Sequence, residues 1–306
     1  MGTAIKVYGS YDEVIADSEI DAVYVPLPTG LRKSWVIRAA DAGKHVLCEK
    51  PCAVALTDLK EMFAACQRNG VQFIDGVMFQ HNPRQRLIED VLKDSETFGE
   101  IRRIDACFSL MGGPDFFEKD IRANTRLEPH GALRDLGWYP IRFAVWAMGD
   151  RKPVEARGRF LQRRKGNGNE EGCIADFSGE LAFEGGATAG FFCSFVSAAV
   201  QCARIVGTKS YIDLGDMVHG VPNEEGEYVF SVRRELFKVP DVVSCPVGGD
   251  GSILTPARNL FDNYARQIAT GELNADWPML SLVTQAAMDA CYQSALKDGR
   301  SAPVEL

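Results

Sequence analysis

Three short apolar runs, separated by segments with helical spacing, constrain the fold of this 306-residue chain more than any other feature. Apolar residues throughout a strand indicate burial on both faces of a sheet. Strand–helix–strand–helix–strand order predicts a parallel sheet with right-handed connections. The expected order is strand 21–26, helix 32–42, strand 45–48, helix 58–69 and strand 71–79.

The start of the chain and one helix cap add local detail to this pattern. A short strand is expected at residues 5–8, followed by a helix from Tyr11 to about Asp17. Ser10 with Glu13 three residues later predicts a capping box for that helix. Thr57 is the expected N-cap of helix 58–69.

From Pro83 onward the pattern changes to alternating apolar and polar residues, which is typical of an antiparallel sheet with one covered face. Gly185-Gly186 predicts a hairpin turn.

The fold class is therefore α/β followed by α+β: a partial Rossmann-type parallel sheet over 1–79, and an α+β domain with a large, mostly antiparallel open sheet over 80–306. The expected strands of the second domain are 101–110, 154–162, 173–183, 187–196, 201–206, 211–214 and 228–236. Its expected helices are 83–93, 132–148, 255–270 and 279–297.

Composition excludes several classes of function. The formal net charge of −8 argues against nucleic acid and against an anionic membrane surface as partners. The most apolar window, 188–200, is too short to span a bilayer. The nine cysteines include no C-x-x-C pair, which argues against a metal site. They favour reduced thiols in a reducing compartment. Because the start also has no apolar signal region, we expect a cytoplasmic protein.

The tripeptide Glu49-Lys50-Pro51 ends the second apolar run. Proline cannot donate to a sheet ladder, so the strand has to stop there. Ligands bind at the carboxyl ends of strands in open parallel sheets, which makes Lys50 a candidate site residue. The alternative is a surface lysine in an ordinary strand-to-helix turn.

A second polar feature lies in the expected helix 132–148. Asp135 and Tyr139 are four residues apart and would share one helix face. Ile141, Val145 and Met148 would face the core, which leaves the Tyr139 phenol at the rim. The alternative is a buried tyrosine satisfied by one hydrogen bond.

Three motifs in order resemble those of the Gfo/Idh/MocA oxidoreductases, the relatives of glucose–fructose oxidoreductase and inositol dehydrogenase. They are Pro-Leu-Pro-Thr at residues 26–29, Glu-Lys-Pro at residues 49–51, and Asp-x-x-x-Tyr at residues 135–139. The tyrosine version is most similar to the dihydrodiol and D-xylose dehydrogenase branch, and residues 77–84 and 131–139 resemble plant members. The resemblance covers essentially the whole chain.

This resemblance implies an NADP- or NAD-dependent enzyme that acts on a small polyol, sugar or dihydrodiol. Tyr139 would exchange a proton with the substrate oxygen, beside Lys50 and Asp135. A nearby ammonium is expected to lower the pKa of the phenol. The cofactor contacts implied are Pro26, Leu27, Pro28, Thr29, Arg32, Glu49 and Lys50. Arg32 departs from the histidine or asparagine usual in the family.

Four residues are expected at the substrate. His81 and Arg84 lie at the first crossing between the domains, where a pocket would form. His81 has the alternative of simple exposure at a helix entry. The full set of expected substrate contacts is Phe79, His81, Arg84 and Trp138.

The chain lacks the glycine-rich G-x-G-x-x-G motif that opens a dinucleotide fold. Relative to the family it begins at about the third strand, so strand 21–26 would have an open edge. Two hypotheses follow. One is a nicotinamide-dependent oxidoreductase with an incomplete sequence, and the other is a short form that acts as a dimerising or ligand-binding module.

The second domain also suggests a partner. Phe191, Cys193 and Phe195 indicate an apolar open face on the antiparallel sheet, and large apolar patches are usually interfaces. We therefore expect a homodimer formed through this sheet.

Overall fold

A three-stranded parallel sheet organises the first part of the chain and confirms the predicted alternation of strands and helices. The structure, a computed structural model, describes residues 6–166, 169–235, 238–247 and 255–306. The second strand is central, and Cys48 pairs with Val25 on one side and Asp75 on the other. The carboxyl ends of all three strands therefore meet at one edge. The elements are α1 Tyr11–Ala16, β1 Ala22–Val25, α2 Thr29–Asp41, β2 His45–Cys48, α3 Leu56–Arg68 and β3 Phe73–Asp75.

Some boundaries differ from those expected. Residues 6–8 are not in a strand, and Ile5 lies outside the described residues. The third strand ends at Asp75 instead of Phe79, and the chain enters a short 3₁₀-helix, Met78–His81. Ser10 does cap α1, since its Oγ accepts from the Glu13 N–H at 3.3 Å.

The helix that was expected to begin after a Thr57 cap begins earlier, at Leu56, so Thr57 lies inside α3. The first N–H of the helix is satisfied by a residue far along the chain, because the Leu56 N–H donates to Asp289 Oδ2 at 2.8 Å. Helix α2 is capped in the same way: the Thr29 N–H donates to Glu128 Oε1 at 2.9 Å. Carboxylates from the second domain thus cap two helices of the first.

The second part of the chain is built on a nine-stranded sheet in the order β11-β10-β9-β8-β4-β7-β6-β5-β12. All neighbouring strands are antiparallel except β4 and β7, which are parallel. Helices α6, α7 and α9 pack against one face. The strands are β4 Ile101–Met111, β5 Pro153–Gly166, β6 Asn169–Phe183, β7 Thr188–Ser194, β8 Val196–Gly207, β9 Tyr211–Leu214, β10 Glu227–Arg233, β11 Asp241–Pro246 and β12 Ala302–Pro303. The helices are α4 Arg84–Lys93, α5 Phe116–Lys119, α6 Gly131–Asp135, α7 Trp138–Met148, α8 Thr255–Ala269 and α9 Asp276–Ala295.

The sheet is larger than predicted. Strands β11 and β12 were not expected, and Leu236, the expected end of the strand at 228–236, lies outside the described residues. The hairpin at Gly185-Gly186 is confirmed, with β6 and β7 antiparallel on either side. No helix in the described part of the chain is long and apolar enough to cross a bilayer.

The single helix predicted over 132–148 is two helices, α6 and α7, separated at Leu136 and Gly137. The Gly137 N–H donates to Ala132 O at 3.0 Å, five residues back, which widens the turn. A single wide turn of this kind is frequent at functional sites. Asp135 and Tyr139 therefore do not share one continuous helix face, contrary to the prediction.

The open face of the nine-stranded sheet is polar, so the predicted apolar face was wrong. Phe191, Cys193 and Phe195 are buried on the face that the helices cover. The open face instead carries ion pairs, such as Arg103 with Glu180 and Arg204 with Asp213. Period-two alternation separates the two faces of a strand but does not tell which one is covered.

A buried ion pair joins the two parts of the chain. Asp75, at the end of β3, pairs with Arg142 of α7, whose side chain is 1% exposed. Arg142 Nε also donates to Thr284 Oγ1 at 2.7 Å, and its Nη1 donates to Gln80 Oε1 at 2.7 Å. One guanidinium thus connects β3, the 3₁₀-helix, α7 and α9.

Candidate active site

The site lies where β1 and β2 end, at the carboxyl edge of the parallel sheet. Residues 26–29 leave β1 and residues 49–51 leave β2 side by side, and the Glu49 N–H donates to Val25 O at 3.2 Å. The Lys50–Pro51 peptide bond is cis. The three motifs named from the sequence therefore meet here: residues 26–29, residues 49–51, and residues 135–139 at the break between α6 and α7.

Lys50 is held in this site by Asp135. Its Nζ donates to Asp135 Oδ1 at 2.7 Å and to the Asp135 backbone oxygen at 2.9 Å. Both side chains are largely buried, at 14% and 17% exposed. Burial by itself lowers the pKa of Lys50, but the charge and the hydrogen bond of Asp135, together with the nearby Tyr139 oxygen, outweigh it and raise that pKa above its ordinary value. Lys50 is therefore a fixed ammonium.

Tyr139 lies beside this ammonium. The Lys50 Nζ is 4.8 Å from the centroid of the Tyr139 ring. Burial raises the pKa of Tyr139, and Lys50 only partly opposes the shift. Lys50 does act to lower the pKa of Tyr139, as expected, but the net shift is upward because burial outweighs it. The Tyr139 phenol is consequently protonated at neutral pH.

Glu49 is fixed by Tyr24 of β1 and by the backbone of its own loop. Tyr24 Oη donates to Glu49 Oε1 at 2.7 Å, and the Lys50 N–H donates to Glu49 Oε2 at 3.1 Å. A Cβ at Gly76 would lie 2.9 Å from the Glu49 carboxyl group, so a larger residue there would displace that carboxylate from its present position.

Arg32 and Thr29 hold the two loops, residues 26–29 and 49–51, through hydrogen bonds. Arg32 is 5% exposed, and its guanidinium donates to the backbone oxygens of Leu27, Glu49 and Pro51. Thr29 is buried, and its Oγ1 donates to Glu128 Oε2 at 2.5 Å. These contacts hold residues 26–29 and 49–51 together, which suits a positioning role for both side chains.

The expected substrate residues do not all gather at this site. Phe79 is buried with its ring centroid 6.4 Å from that of Tyr139. Trp138 is fully buried in the core, and Arg84 is buried against Tyr228 with a ring distance of 5.9 Å. His81 lies in a separate cleft with Asn263 and Trp277. The positions of Trp138 and Arg84 give no support to a substrate contact.

Other residues that the sequence did not indicate stand close to Tyr139. The Phe108 ring is 5.3 Å from the Tyr139 ring and 6.3 Å from that of His219. His219 is anchored by Gln201, with its Nδ1 2.8 Å from Gln201 Oε1. A lone histidine 80 residues after Tyr139 carries no local signal in the sequence.

The edge offers two charged groups to a nicotinamide cofactor, the Lys50 ammonium and the Glu49 carboxylate. The Lys50 ammonium and the Glu49 carboxylate could hold the ribose and amide end, and the group would supply a hydride carrier. The N-termini of α2 and α3 are occupied by the carboxylates of Glu128 and Asp289, so neither offers an anion site to a pyrophosphate. Within the described residues no three His, Cys, Asp or Glu side chains group as a metal site.

A parallel sheet with Lys50 at its carboxyl edge, followed by a large mixed sheet, defines a two-part fold of the α/β and α+β classes. The chain belongs to the Gfo/Idh/MocA oxidoreductase family. Residues 2–77 match the family model described as an oxidoreductase family with an NAD-binding Rossmann fold, and residues 90–213 match the model of its C-terminal domain. The resemblance noted from the three motifs is thus confirmed.

Named relatives and a solved structure agree with this assignment. A dTDP-3,4-didehydro-2,6-dideoxy-alpha-D-glucose 3-reductase from Saccharopolyspora spinosa is 30% identical, over 94% of this chain and 82% of that protein. D-xylose 1-dehydrogenase (NADP(+)) 2 from Haloferax volcanii is 29% identical with the same coverage. The crystal structure of a variant of KijD10, a 3-ketoreductase from Actinomadura kijaniata in complex with TDP-benzene and NADP, superposes with a TM-score of 0.79. It is 26% identical, over 93% of this chain and 81% of that one.

Proposed function

We propose that this protein is an NADP- or NAD-dependent oxidoreductase that transfers hydride between a nicotinamide and a hydroxyl-bearing or carbonyl carbon. The substrate class is a sugar, polyol or dihydrodiol. The observation that carries the proposal is the contact of the Lys50 ammonium with both Asp135 and the Tyr139 ring. Relatives named for sugar substrates support the substrate class.

In this proposal Tyr139 is the acid of the reductive direction. Its raised pKa keeps the phenol protonated, so it can donate its proton to the carbonyl oxygen as that oxygen gains negative charge. The Lys50 ammonium stabilises the same oxygen, because a fixed positive charge in a water-poor site is effective there. Asp135 orients Lys50. In the oxidative direction the proton returns to Tyr139.

The cofactor contacts are proposed for the edge formed by Pro26, Leu27, Pro28, Thr29, Arg32, Glu49 and Lys50. Glu49 and Lys50 would make direct contacts. Arg32 and Thr29 would act by holding the loops, as their hydrogen bonds to the loop carbonyls and to Glu128 indicate. Phe79, which contacts Tyr139, is the expected substrate residue whose position suits that role.

A titration of the chain with NADPH and with NADH, followed by nicotinamide fluorescence and calorimetry, tests the proposal. We expect saturable binding that weakens at least about tenfold in Lys50→Ala, since one charge-assisted contact is worth about 1.5–3 kcal/mol. Lys93→Ala is the matched control, because Lys93 is an exposed lysine of α4 whose side chain is 74% exposed. Equal binding by the two variants would contradict the role of Lys50.

The alternative is a family member that does not bind the cofactor and acts as a dimerising or ligand-binding module. It is favoured by the two carboxylate-capped helix N-termini, which leave no anion site at α2 or α3. A folded sample that binds neither nucleotide at millimolar concentration would support this alternative and overturn the first proposal.

We also propose a homodimer formed through the open face of the nine-stranded sheet. The charges of this face support the proposal in place of apolar area. Cations and anions alternate on it, and such a pattern can pair with itself across a two-fold axis. The charged residues include Arg103, Asp105, Glu180 and Arg204. Light scattering at micromolar concentration should give twice the chain mass, and the dimer should weaken at high salt. A monomer at both salt concentrations would contradict the proposal.

A cytoplasmic location belongs to the same proposal. All nine cysteines are free thiols in the structure, which suits a reducing compartment. Most of them are buried, and burial raises the pKa of several, for example those of Cys66 and Cys173, to about 12.

A further inference from the structure

A second polar cleft lies away from Lys50, between the 3₁₀-helix after β3 and helices α4, α8 and α9. It has a volume of about 550 Å³, which is in the range of small-ligand pockets. Its walls include His81, Gln85, Asn259, Asn263 and Trp277. Lys50, Asp135 and Tyr139 do not line it, so it is distinct from the proposed active site.

His81 is a neutral hydrogen-bond donor in this cleft. The Asn263 side-chain amide lies 2.9 Å from His81 Nδ1, and because an NH₂ group can only donate, Nδ1 acts as the acceptor. The proton of the neutral ring is then on Nε2. Burial lowers the pKa of His81 to about 4, so the ring is uncharged at neutral pH. The ring edge packs at 6.0 Å against Trp277, which fixes its orientation.

Acceptor groups line the same cleft. Gln85 is 4% exposed; its Nε2 donates to Phe79 O at 3.0 Å, and its Oε1 has no hydrogen-bond partner among the described residues. A buried acceptor left without a partner is costly, so a ligand hydroxyl at this position would be stabilising. Asn259 and Asn263, one turn apart on α8, use their NH₂ groups on His81 and keep their Oδ1 atoms as acceptors.

The charges around the cleft balance. Arg86 and Arg266 are opposed by Glu89 and Asp276, and the Asp75 carboxylate is already paired with Arg142. A phosphate or carboxylate ligand would have no net positive field here, in contrast to sites built for anions. The half-buried indole of Trp277 adds an apolar surface with an aromatic face.

The cleft combines uncharged donors and acceptors with an aromatic face and carries no net charge. This combination suits a molecule with several hydroxyl groups, since each hydroxyl both donates and accepts. We propose that this cleft binds a neutral monosaccharide or polyol, at a site separate from the one that holds Lys50. The proposal does not depend on cofactor binding.

The test is a titration of the chain, without nucleotide, with D-xylose, D-glucose and glycerol. Saturation-transfer NMR and tryptophan fluorescence report binding, because Trp277 lines the cleft. We expect saturation below about 100 mM for at least one of the three, a range typical of weak polar ligands. In His81→Phe, which keeps an aromatic ring against Trp277 but has no Nε2 donor, binding should weaken by about tenfold or more.

Two further variants make the result decisive. Gln85→Met keeps the side-chain length but removes the orphan acceptor, and it should also weaken binding, while Tyr139→Phe should leave it within about twofold. Circular dichroism confirms that each variant is folded. The proposal is overturned if folded wild type shows no saturable binding, if both cleft variants bind normally, if Tyr139→Phe abolishes binding, or if D-glucose 6-phosphate binds more tightly than D-glucose.

Discussion

Lys50 shows how far a single residue can be interpreted from its neighbours in sequence. The proline after it placed the lysine at the end of a strand, and the structure has it there. Its partner Asp135 is 85 residues away and was named from a separate motif. What could not be anticipated was the balance at Tyr139, where burial outweighs the nearby ammonium and raises the phenol pKa.

His130 gives a prediction for pH at the residue scale. It accepts from Arg134 Nε at 2.6 Å and stacks on Tyr292 at 3.9 Å. Burial, with help from Arg134 and Arg163, lowers its pKa to about 3. The unfolded chain takes up a proton near pH 6.5 and the folded chain does not, so this group should cost stability as the pH falls from 6.5 toward 3, by up to about 1.4 kcal/mol per pH unit.

Urea unfolding at several pH values, comparing the wild type with His130→Asn, checks this. Asparagine tolerates the left-handed backbone at this position, where φ is 72°. The variant should lose less stability than the wild type between pH 6 and pH 4. Parallel curves for the two proteins would contradict the assignment.

At the scale of elements, the break between α6 and α7 separates Asp135 from Tyr139, and both contact the Lys50 ammonium. The break depends on Gly137, because a Cβ there would lie 2.2 Å from the Leu133 backbone oxygen and 3.2 Å from Cys193 Sγ. Apolar periodicity runs through the whole of 132–148 and therefore predicted one helix.

Gly137→Ala should destabilise the protein by about 1–3 kcal/mol, since overpacking against backbone forces a local shift. It should also weaken whatever binds between Lys50 and Tyr139. Gly113→Ala is the control, because a Cβ at Gly113 meets no atom within 4 Å, and its effect should stay within about 0.5 kcal/mol. Thermal unfolding measures both; equal shifts would show that Gly137 is not a special position.

At the scale of the whole molecule, the Arg142–Asp75 ion pair and helix α9 connect the two parts away from the Lys50 site. Arg142 and Asp75 have side chains only 1% and 4% exposed. Helix α9 adds Asp289, which binds Arg134 Nη2 at 2.8 Å and the start of α3. The two parts are thus joined by charged groups held away from water.

Arg142→Met should cost about 3–5 kcal/mol, because it leaves the Asp75 carboxylate buried without its cation. The double variant Asp75→Leu, Arg142→Met should recover part of that loss, since no unpaired charge then remains. The free energy of unfolding in urea distinguishes the two. A double variant as unstable as the sum of both single variants would mean that the pair is not coupled.

The sequence by itself determined the strand–helix alternation, the positions where β1 and β2 end, the two-part organisation and the family. Each of these rests on local signals: apolar periodicity, proline and glycine positions, and short motifs. Tertiary structure alone decided that Glu128 and Asp289 cap α2 and α3, that Arg32 binds loop carbonyls, and that the open sheet face is polar. These features depend on contacts between residues far apart in the chain, and neither spacing nor propensity carries information about such contacts. A helix N-terminus can be capped by any carboxylate that the fold places beside it, and a strand buries whichever face its neighbours cover.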